Sequence, residues 1–213
     1  MPTALMTVSN KENLELLASF LDTLGWGIYA TPGTQHYLNR KANVRGIGIE
    51  FVTNYPSLLG GQVKAMHPKI LGGILMKESD EKQADKHFFG PIDIVVVNFY
   101  PFMNTVQSGA TDAECIRHID IGGPTLVHAA VKNSERVTVL VDPEDYQTVI
   151  DEITAHGTTL ASTRQRLAFK AEAYALNYHT AVYHWLKSKM STPVSTPNPY
   201  ADLFAGGKLA KKD

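Results

Sequence analysis

The run Ile92-Asp93-Ile94-Val95-Val96-Val97 constrains the fold of this chain more than any other segment. It is almost wholly apolar and β-branched, and it lacks the polar alternation of a strand with one wet face. A strand of this kind is buried on both sides, as in the middle of a parallel sheet covered by helices. Beyond it, Asn98-Phe99-Tyr100 is followed by Pro101, which has no backbone N–H and stops the ladder.

The rest of the chain alternates at a matching rhythm. Residues 4–8 read as a short strand, and Leu14, Leu17, Ala18, Leu21 and Leu24 then recur at helical spacing up to Gly25. Residues 28–30 read as a second strand, followed by the loop Thr31-Pro32-Gly33-Thr34 and a helix to about Lys41. Residues 47–52 read as a third strand, 70–76 as extended, and 77–90 as a helix with a surface loop. Thr111 caps a helix through Ile116, and Gly122-Gly123-Pro124 opens another with the proline in its first turn. Residues 137–141 form a further strand; Asp142 or Pro143 opens a helix that ends near Gly157. Leu167, Ala171, Tyr174, Tyr178, Ala181, Val182 and Trp185 mark a long helix over 162–189. The expected architecture is three-layer α/β, a parallel β-sheet flanked by helices in right-handed βαβ units, with a C-terminal helical extension. One domain is expected over 1–190, with a flexible Pro/Ser/Thr-rich and basic tail over 191–213.

Composition narrows the function classes. A chain of 213 residues with 44% hydrophobic and 19% charged residues can build a core. A net charge of −1 leaves no basic excess for nucleic acid. Cys115 is the only cysteine, which excludes a disulfide scaffold and fits a reducing compartment. The opening MPTALMTVSNKEN lacks the pattern of a secretory signal, and no apolar run approaches the roughly 20 residues of a membrane span. A cytoplasmic protein that engages neither membrane nor nucleic acid is expected.

In a parallel sheet, ligands bind beyond the carboxyl ends of the strands. Ser9-Asn10-Lys11, Thr31 to Thr34, and Asn98-Phe99-Tyr100 fall at those ends, and hydroxyls, a lysine and free amides together suit a phosphate. Ser9 also reads as a plain helix cap, with Glu12 completing a capping box. Lys64, in the glycine-rich GGQVKAMHPK, and Lys132, ending an alanine-rich helix, are either stabilising cations or surface lysines with snorkelling stems. Asp120, between Ile119 and Ile121, either caps the following helix or handles a proton. The eight histidines form no HxxxH or HExxH pair, and neither GxGxxG, GxxxxGK[ST] nor GxSxG occurs. Neither a metal nor an organic cofactor is expected.

The strings TVSNK, ATPGT, GGQVKAMHPKILGGIL, DIVVVNFYPF, IDIGGPTLVHAAVKN and VDPEDY, in this order and spacing, resemble the IMP cyclohydrolase domain of bifunctional AICAR transformylase/IMP cyclohydrolase. The likeness covers residues 4–189 and implies a methylglyoxal-synthase-like fold, here as a stand-alone cyclohydrolase without the transformylase domain. It implies dehydrative closure of 5-formamidoimidazole-4-carboxamide ribonucleotide to IMP, the last step of de novo purine biosynthesis, without a cofactor. By position, Ser9, Lys11 and the loop with Thr31, Gly33 and Thr34 would hold the 5′-phosphate, and Asn98, Ile121 and Gly122 would contact the base portion. Lys64, Tyr100, Asp120 and Lys132 would carry the chemistry, and Thr7 and Gln62 would also bind the substrate. A homodimer and a separate formyltransferase supplying the substrate are implied as partners.

The chain departs from the family pattern at several positions. Gln62 and Ala65 stand where GGRVKTLHP has arginine and threonine, Thr7 and Pro32 replace a serine and a glycine, and Ser134 stands where histidine is common. Three other readings of the same fold stay open: a non-catalytic module sensing a nucleotide or phosphate, a methylglyoxal-synthase-type phosphate lyase, and, motivated by Gln62 and Ala65, a divergent cyclohydrolase acting on a modified ribonucleotide.

Overall fold

The computed structural model describes residues 1–192, 194 and 195. The chain opens with β1 (Thr3–Thr7), α1 (Leu14–Thr23), β2 (Gly27–Ala30) and α2 (Pro32–Tyr37), which continues into a π-helical turn over Leu38–Ala42. Then come β3 (Ile47–Gly48), α3 (Ile49–Thr53), α4 (Pro68–Leu75), α5 (Glu81–Lys86) and β4 (Ile94–Val97). α6 (Phe102–Gln107), α7 (Asp112–Arg117), α8 (Gly122–Lys132), β5 (Thr138–Leu140), α9 (Tyr146–His156) and α10 (Ala161–Ser188) complete the elements of the described residues. The five strands are parallel in the order β3-β2-β1-β4-β5. Strand order reverses at β1, which pairs with β2 on one side and β4 on the other, and a crevice forms at such a reversal.

The side-chain period of two sorts each central strand between two cores. Ala4 and Met6 of β1, with Ile94 and Val96 of β4, pack with Leu14, Leu17 and Leu21 of α1 and Tyr146 and Val149 of α9. Leu5, Val95 and Val97 face the other way, onto Ile70 and Ile74 of α4, Leu126 and Val127 of α8, and Ala168, Ala171 and Ala175 of α10. The doubly buried β4 and the three-layer α/β fold are therefore as expected.

Three local expectations are corrected. Residues 47–52 are not one strand: only Ile47 and Gly48 pair with β2, and the chain then coils into α3. There Ile49 and Thr53 are buried, four residues apart, while Phe51 is exposed, which is helical rather than alternating spacing. Residues 70–76 are mostly helical, in α4, where Ile70, Gly73 and Ile74 are buried at i, i+3, i+4. The glycines there are required by packing, since a Cβ on Gly73 would come within 2.5 Å of the Gly90 carbonyl oxygen. Ser9 is not a cap: α1 starts at Leu14 with Asn13 as its N-cap residue, φ 54°.

Arg136 ties one edge of the sheet to α4. Its guanidinium donates to Asp93 at 2.7 Å and to the carbonyls of Gly73, Ile74, Met76 and Ile92. Burial lowers its pKa, opposed by the Asp93 carboxylate. The chain divides into two compact units, Met1–Val182 and Tyr183–Asp213. Of the expected tail, residues 193 and 196–213 lie outside the described residues. Among the described residues, no helix is long and apolar enough to cross a membrane.

Candidate functional site

A cavity of about 960 Å³ lies within the first unit where the carboxyl ends of β1, β2 and β4 open. Thr7, Val8, Ser9 and Lys11 come from the end of β1 and its loop, Thr31, Gly33 and Thr34 from the turn after β2, and Asn98 and Tyr100 from the turn after β4. The segment Gly61, Gln62, Lys64, Ala65 and Met66 supplies further lining, as do residues of α7 and the turn into α8. Among these residues Lys11, Lys64 and Arg117 are the cations and Asp120 is the one carboxylate, so the cavity suits an anion.

The strand-end lining is held by side chains that bond to backbone. Asn98 Oδ1 accepts from the amides of Ser9 at 2.6 Å and Asn10 at 2.9 Å, and its Nδ2 donates to Asn10 O at 2.8 Å. Asn98 is thus a clamp between β4 and the loop after β1, and the Ser9 amide is already engaged. The buried Thr34 hydroxyl accepts from Val8 N at 3.2 Å and contacts Val8 O at 3.3 Å. The Thr31 hydroxyl lies 3.3 Å from that of Thr7 and 3.4 Å from that of Thr34. Lys11 Nζ donates to the carbonyls of Val8 and Ser9 at 3.1 and 3.2 Å. Partial burial pushes the Lys11 ammonium below the usual lysine range. As first-turn residues of α2, Gly33 and Thr34 have no intrahelical acceptor for their amides, whereas Pro32 has no amide hydrogen at all. These amides, the Thr7 and Thr31 hydroxyls and Lys11 form the phosphate-suited part of the cavity.

The other polar lining converges on Asp120. Its Oδ1 accepts from Gly123 N and its Oδ2 from Tyr100 N, both at 2.9 Å. The carboxylate therefore joins the turn after β4 to the start of α8, which answers the capping alternative and leaves lone pairs facing other donors. A Cβ on Gly123 would sit 3.1 Å from that carboxylate and 2.5 Å from the Phe99 ring, so this close approach requires glycine. From α10, the Tyr178 hydroxyl accepts from Asp120 N at 2.7 Å and the Tyr174 hydroxyl from Phe99 N at 3.1 Å. Burial raises both phenol pKa values, with the Asp120 charge adding to it. Tyr100 is 43% exposed and stacks flat on His118, ring centroids 5.0 Å apart and planes 8° from parallel.

Lys64 comes from the glycine-rich segment. Gly61 has φ +88°, which favours glycine, and a Cβ there would lie 2.5 Å from Lys64 Cε and 3.0 Å from its Nζ, so a side chain at 61 would displace the end of the lysine. Arg117 approaches the same segment from α7: its Nη2 lies 3.8 Å from where a Cβ on Gly60 would be. A guanidinium thus stands near the loop in which Gln62 occupies the family's arginine position.

Of the residues given a site role from the sequence, all but Lys132 line this cavity; Asn10, Pro32 and Phe99 of the strand-end segments do not. Lys132 is an exposed residue at the C-terminal end of α8, while Asp120 and Gly122 are at its start. Ten residues of helix put about 15 Å between them. The sequence reading missed Arg117 and His118, although both directly precede IDIGG, and it treated Tyr174 and Tyr178 only as part of the helical pattern. The signal available for the tyrosines was their polar tips at i, i+4 beside the buried Ala168, Ala171 and Ala175 of the same helix.

A doubly wound parallel sheet with a polar crevice at its strand reversal defines the class of protein. The family description "MGS-like domain" matches residues 13–125, and "AICARFT/IMPCHase bienzyme" matches residues 130–206. The chain is 42% identical over 190 residues to the bifunctional purine biosynthesis protein PurH of Thermoanaerobacter sp. (strain X514), covering 87% of this chain and 37% of that protein. It is 44% identical over 186 residues to the PurH of Aquifex aeolicus (strain VF5), covering 84% and 35% respectively. The chain thus spans little more than a third of the length of these relatives. The solved structure of ForH superposes with a TM-score of 0.73 at 34% identity, covering 85% of this chain and 96% of that one. The chain belongs to the MGS-like domain family, and its domain is of the IMP cyclohydrolase type.

Proposed function

We propose that the cavity binds 5-formamidoimidazole-4-carboxamide ribonucleotide and closes its second ring to give IMP, a step of purine biosynthesis. One observation carries the reading: Lys11 and the hydroxyls of Thr7 and Thr31 share a single cavity with Lys64, Tyr100 and Asp120, in a domain of the cyclohydrolase type. The first group suits the 5′-phosphate, and the second meets the needs of the reacting end.

The reaction is intramolecular, so much of its acceleration comes from holding the carboxamide nitrogen against the formyl carbon. As the C–N bond forms, the carboxamide nitrogen loses a proton and the formyl oxygen gains charge. The Lys64 ammonium is suited to stabilise that oxygen and the Tyr100 hydroxyl to pass it one proton, giving a hydroxyl. That hydroxyl leaves as water with the proton taken from the carboxamide nitrogen, while the formamide N–H proton returns to the Tyr100 oxygen as the C=N bond forms. Asp120, anchored by two amides, is suited to accept the proton from nitrogen. Gln62, Asn98, Ile121 and Gly122 border the base portion in this reading, with Asn98 acting through the Ser9–Asn10 loop that it clamps. In the single chain, Lys132 lies outside the cavity lining, so this reading gives it no step. The substrate carries a formyl group, so a formyl-transfer reaction must supply it. The homodimer implied by the resemblance is a matter for sedimentation analysis.

The test is direct: purified protein, formylated aminoimidazole-carboxamide ribonucleotide, and IMP followed by its absorbance. Turnover that saturates with substrate is the expected result. Binding without turnover supports the sensing module instead, and release of inorganic phosphate from a triose phosphate supports the lyase.

A further inference from the structure

We propose that His118 is the specificity residue at the base end of the cavity, donating a hydrogen bond from Nε2–H to the carboxamide oxygen of the ligand. This rests on the ring-closure reading, in which that oxygen becomes the 6-oxo group of IMP.

The geometry restrains the ring on several sides. The backbone of His118 ends α7, its amide donating to Glu114 O and Cys115 O at 3.1 Å each. Its face is covered by the Tyr100 ring at 5.0 Å. Tyr100 and the segment after His118 are in turn joined through Asp120. The ring lines the cavity, yet its Nδ1 is fully buried and has no hydrogen-bond partner. Nε2 is not among the buried unpartnered atoms, so it is the nitrogen open to the cavity.

A neutral imidazole has one N–H and one bare nitrogen. A buried N–H with no acceptor is costlier to leave unmade than a buried lone pair with no donor. The hydrogen therefore belongs on Nε2, and the cavity receives an N–H donor held against the Tyr100 ring. A donor so held suits an atom that the reaction leaves in place. The formyl oxygen departs as water, whereas the carboxamide oxygen is present in substrate, transition state and product. Such a contact strengthens binding throughout and contributes little to the barrier, so its loss changes KM rather than kcat.

The test compares IMP with purine riboside 5′-monophosphate, which lacks both the 6-oxo group and the N1 hydrogen, by calorimetry on the full chain, and the change in preference on substituting His118 isolates the 6-oxo contact. Wild type is expected to prefer IMP about tenfold, the size of one hydrogen bond. His118→Phe keeps an aromatic face for Tyr100 and removes the donor; it is expected to bring the preference within about twofold, leave inorganic phosphate affinity unchanged, and raise KM about tenfold with kcat nearly constant. His118→Gln, which restores a donor without the stack, is expected to recover part of the preference. An undiminished preference in His118→Phe overturns the proposal, as does a fall in kcat with the preference intact, which would make His118 only a support for Tyr100. Wild-type protein that binds phosphate but neither nucleotide overturns the ring-closure reading, and this inference with it.

Discussion

The two sides of the cavity are built differently. On the strand-end side, Asn98, Thr34 and Lys11 each bond to the backbone of residues 8–10, and Thr34 is 1% exposed. On the side of the glycine-rich segment, Leu59, Gly60 and Gly61 have φ of 54°, 64° and 88°, and Leu59 is 71% exposed. There the backbone is held by an isolated bridge between Leu58 and Val63, and Gln62 and Lys64 are exposed. The first side is shaped before a ligand arrives, whereas the second is an exposed segment whose backbone bonds run only among residues 58–63, so it can adjust to one. The departure Gln62 falls on the adjustable side, Ala65 beside it packs into the core at 5% exposure, and Pro32 falls on the rigid side, where its fixed φ suits the start of α2.

If this division is right, substitutions on the two sides affect different quantities. The largest effect is expected from Lys64→Ala, which should lower kcat by about 10²- to 10³-fold and leave phosphate affinity and Tm unchanged. A matching loss of phosphate affinity would break the comparison. Lys11→Ala should weaken IMP binding by about 10- to 30-fold with a smaller effect on kcat, as for a charge-assisted contact to phosphate. Because burial lowers the Lys11 pKa, its ammonium loses its proton at lower pH than a free lysine. Affinity should therefore fall as pH rises toward 10.5, and Lys11→Arg, always charged, should flatten that decline in a titration of binding against pH.

Smaller effects sharpen the account of the adjustable side. Gly61→Ala places a methyl group against the Lys64 stem at a positive φ. It should reduce kcat about tenfold and destabilise the fold by about 1 kcal/mol, read by steady-state kinetics and denaturant unfolding. Arg117→Ala should weaken nucleotide binding about threefold at low salt and less at high salt, since the side chain is exposed. Combining it with Gln62→Arg should restore the affinity, showing that either position can supply the cation near Gly60.

Much of the fold was legible because its signals are local. The unbroken apolar run of β4 implied burial on both faces, and Leu14, Leu17, Leu21 implied the buried stripe of α1. α4 was not legible, since ILGGIL is short, apolar and glycine-containing, and its helical packing depends on Gly90 and Phe89, far along the chain. The cavity lining was legible through residue types at strand ends, but the tasks of those residues were not. Asn98 reads as a ligand contact until the loop 88 and 89 residues away is seen bonded to it.

The sequence by itself determined the period of its elements, the parallel α/β class, and the residue types available for an anion and for proton transfer, because those depend on neighbours within a few positions. The tertiary structure alone decided which of those residues meet. It brought Tyr178 to Asp120 across 58 positions and His118 flat against Tyr100, and it left Lys132 at the far end of a helix whose first turn borders the cavity. A helix rises by a set amount per residue whatever its sequence, so a residue ten positions from the site is carried away from it. Contacts between distant segments are set instead by how the sheet and helices pack, which no local pattern specifies.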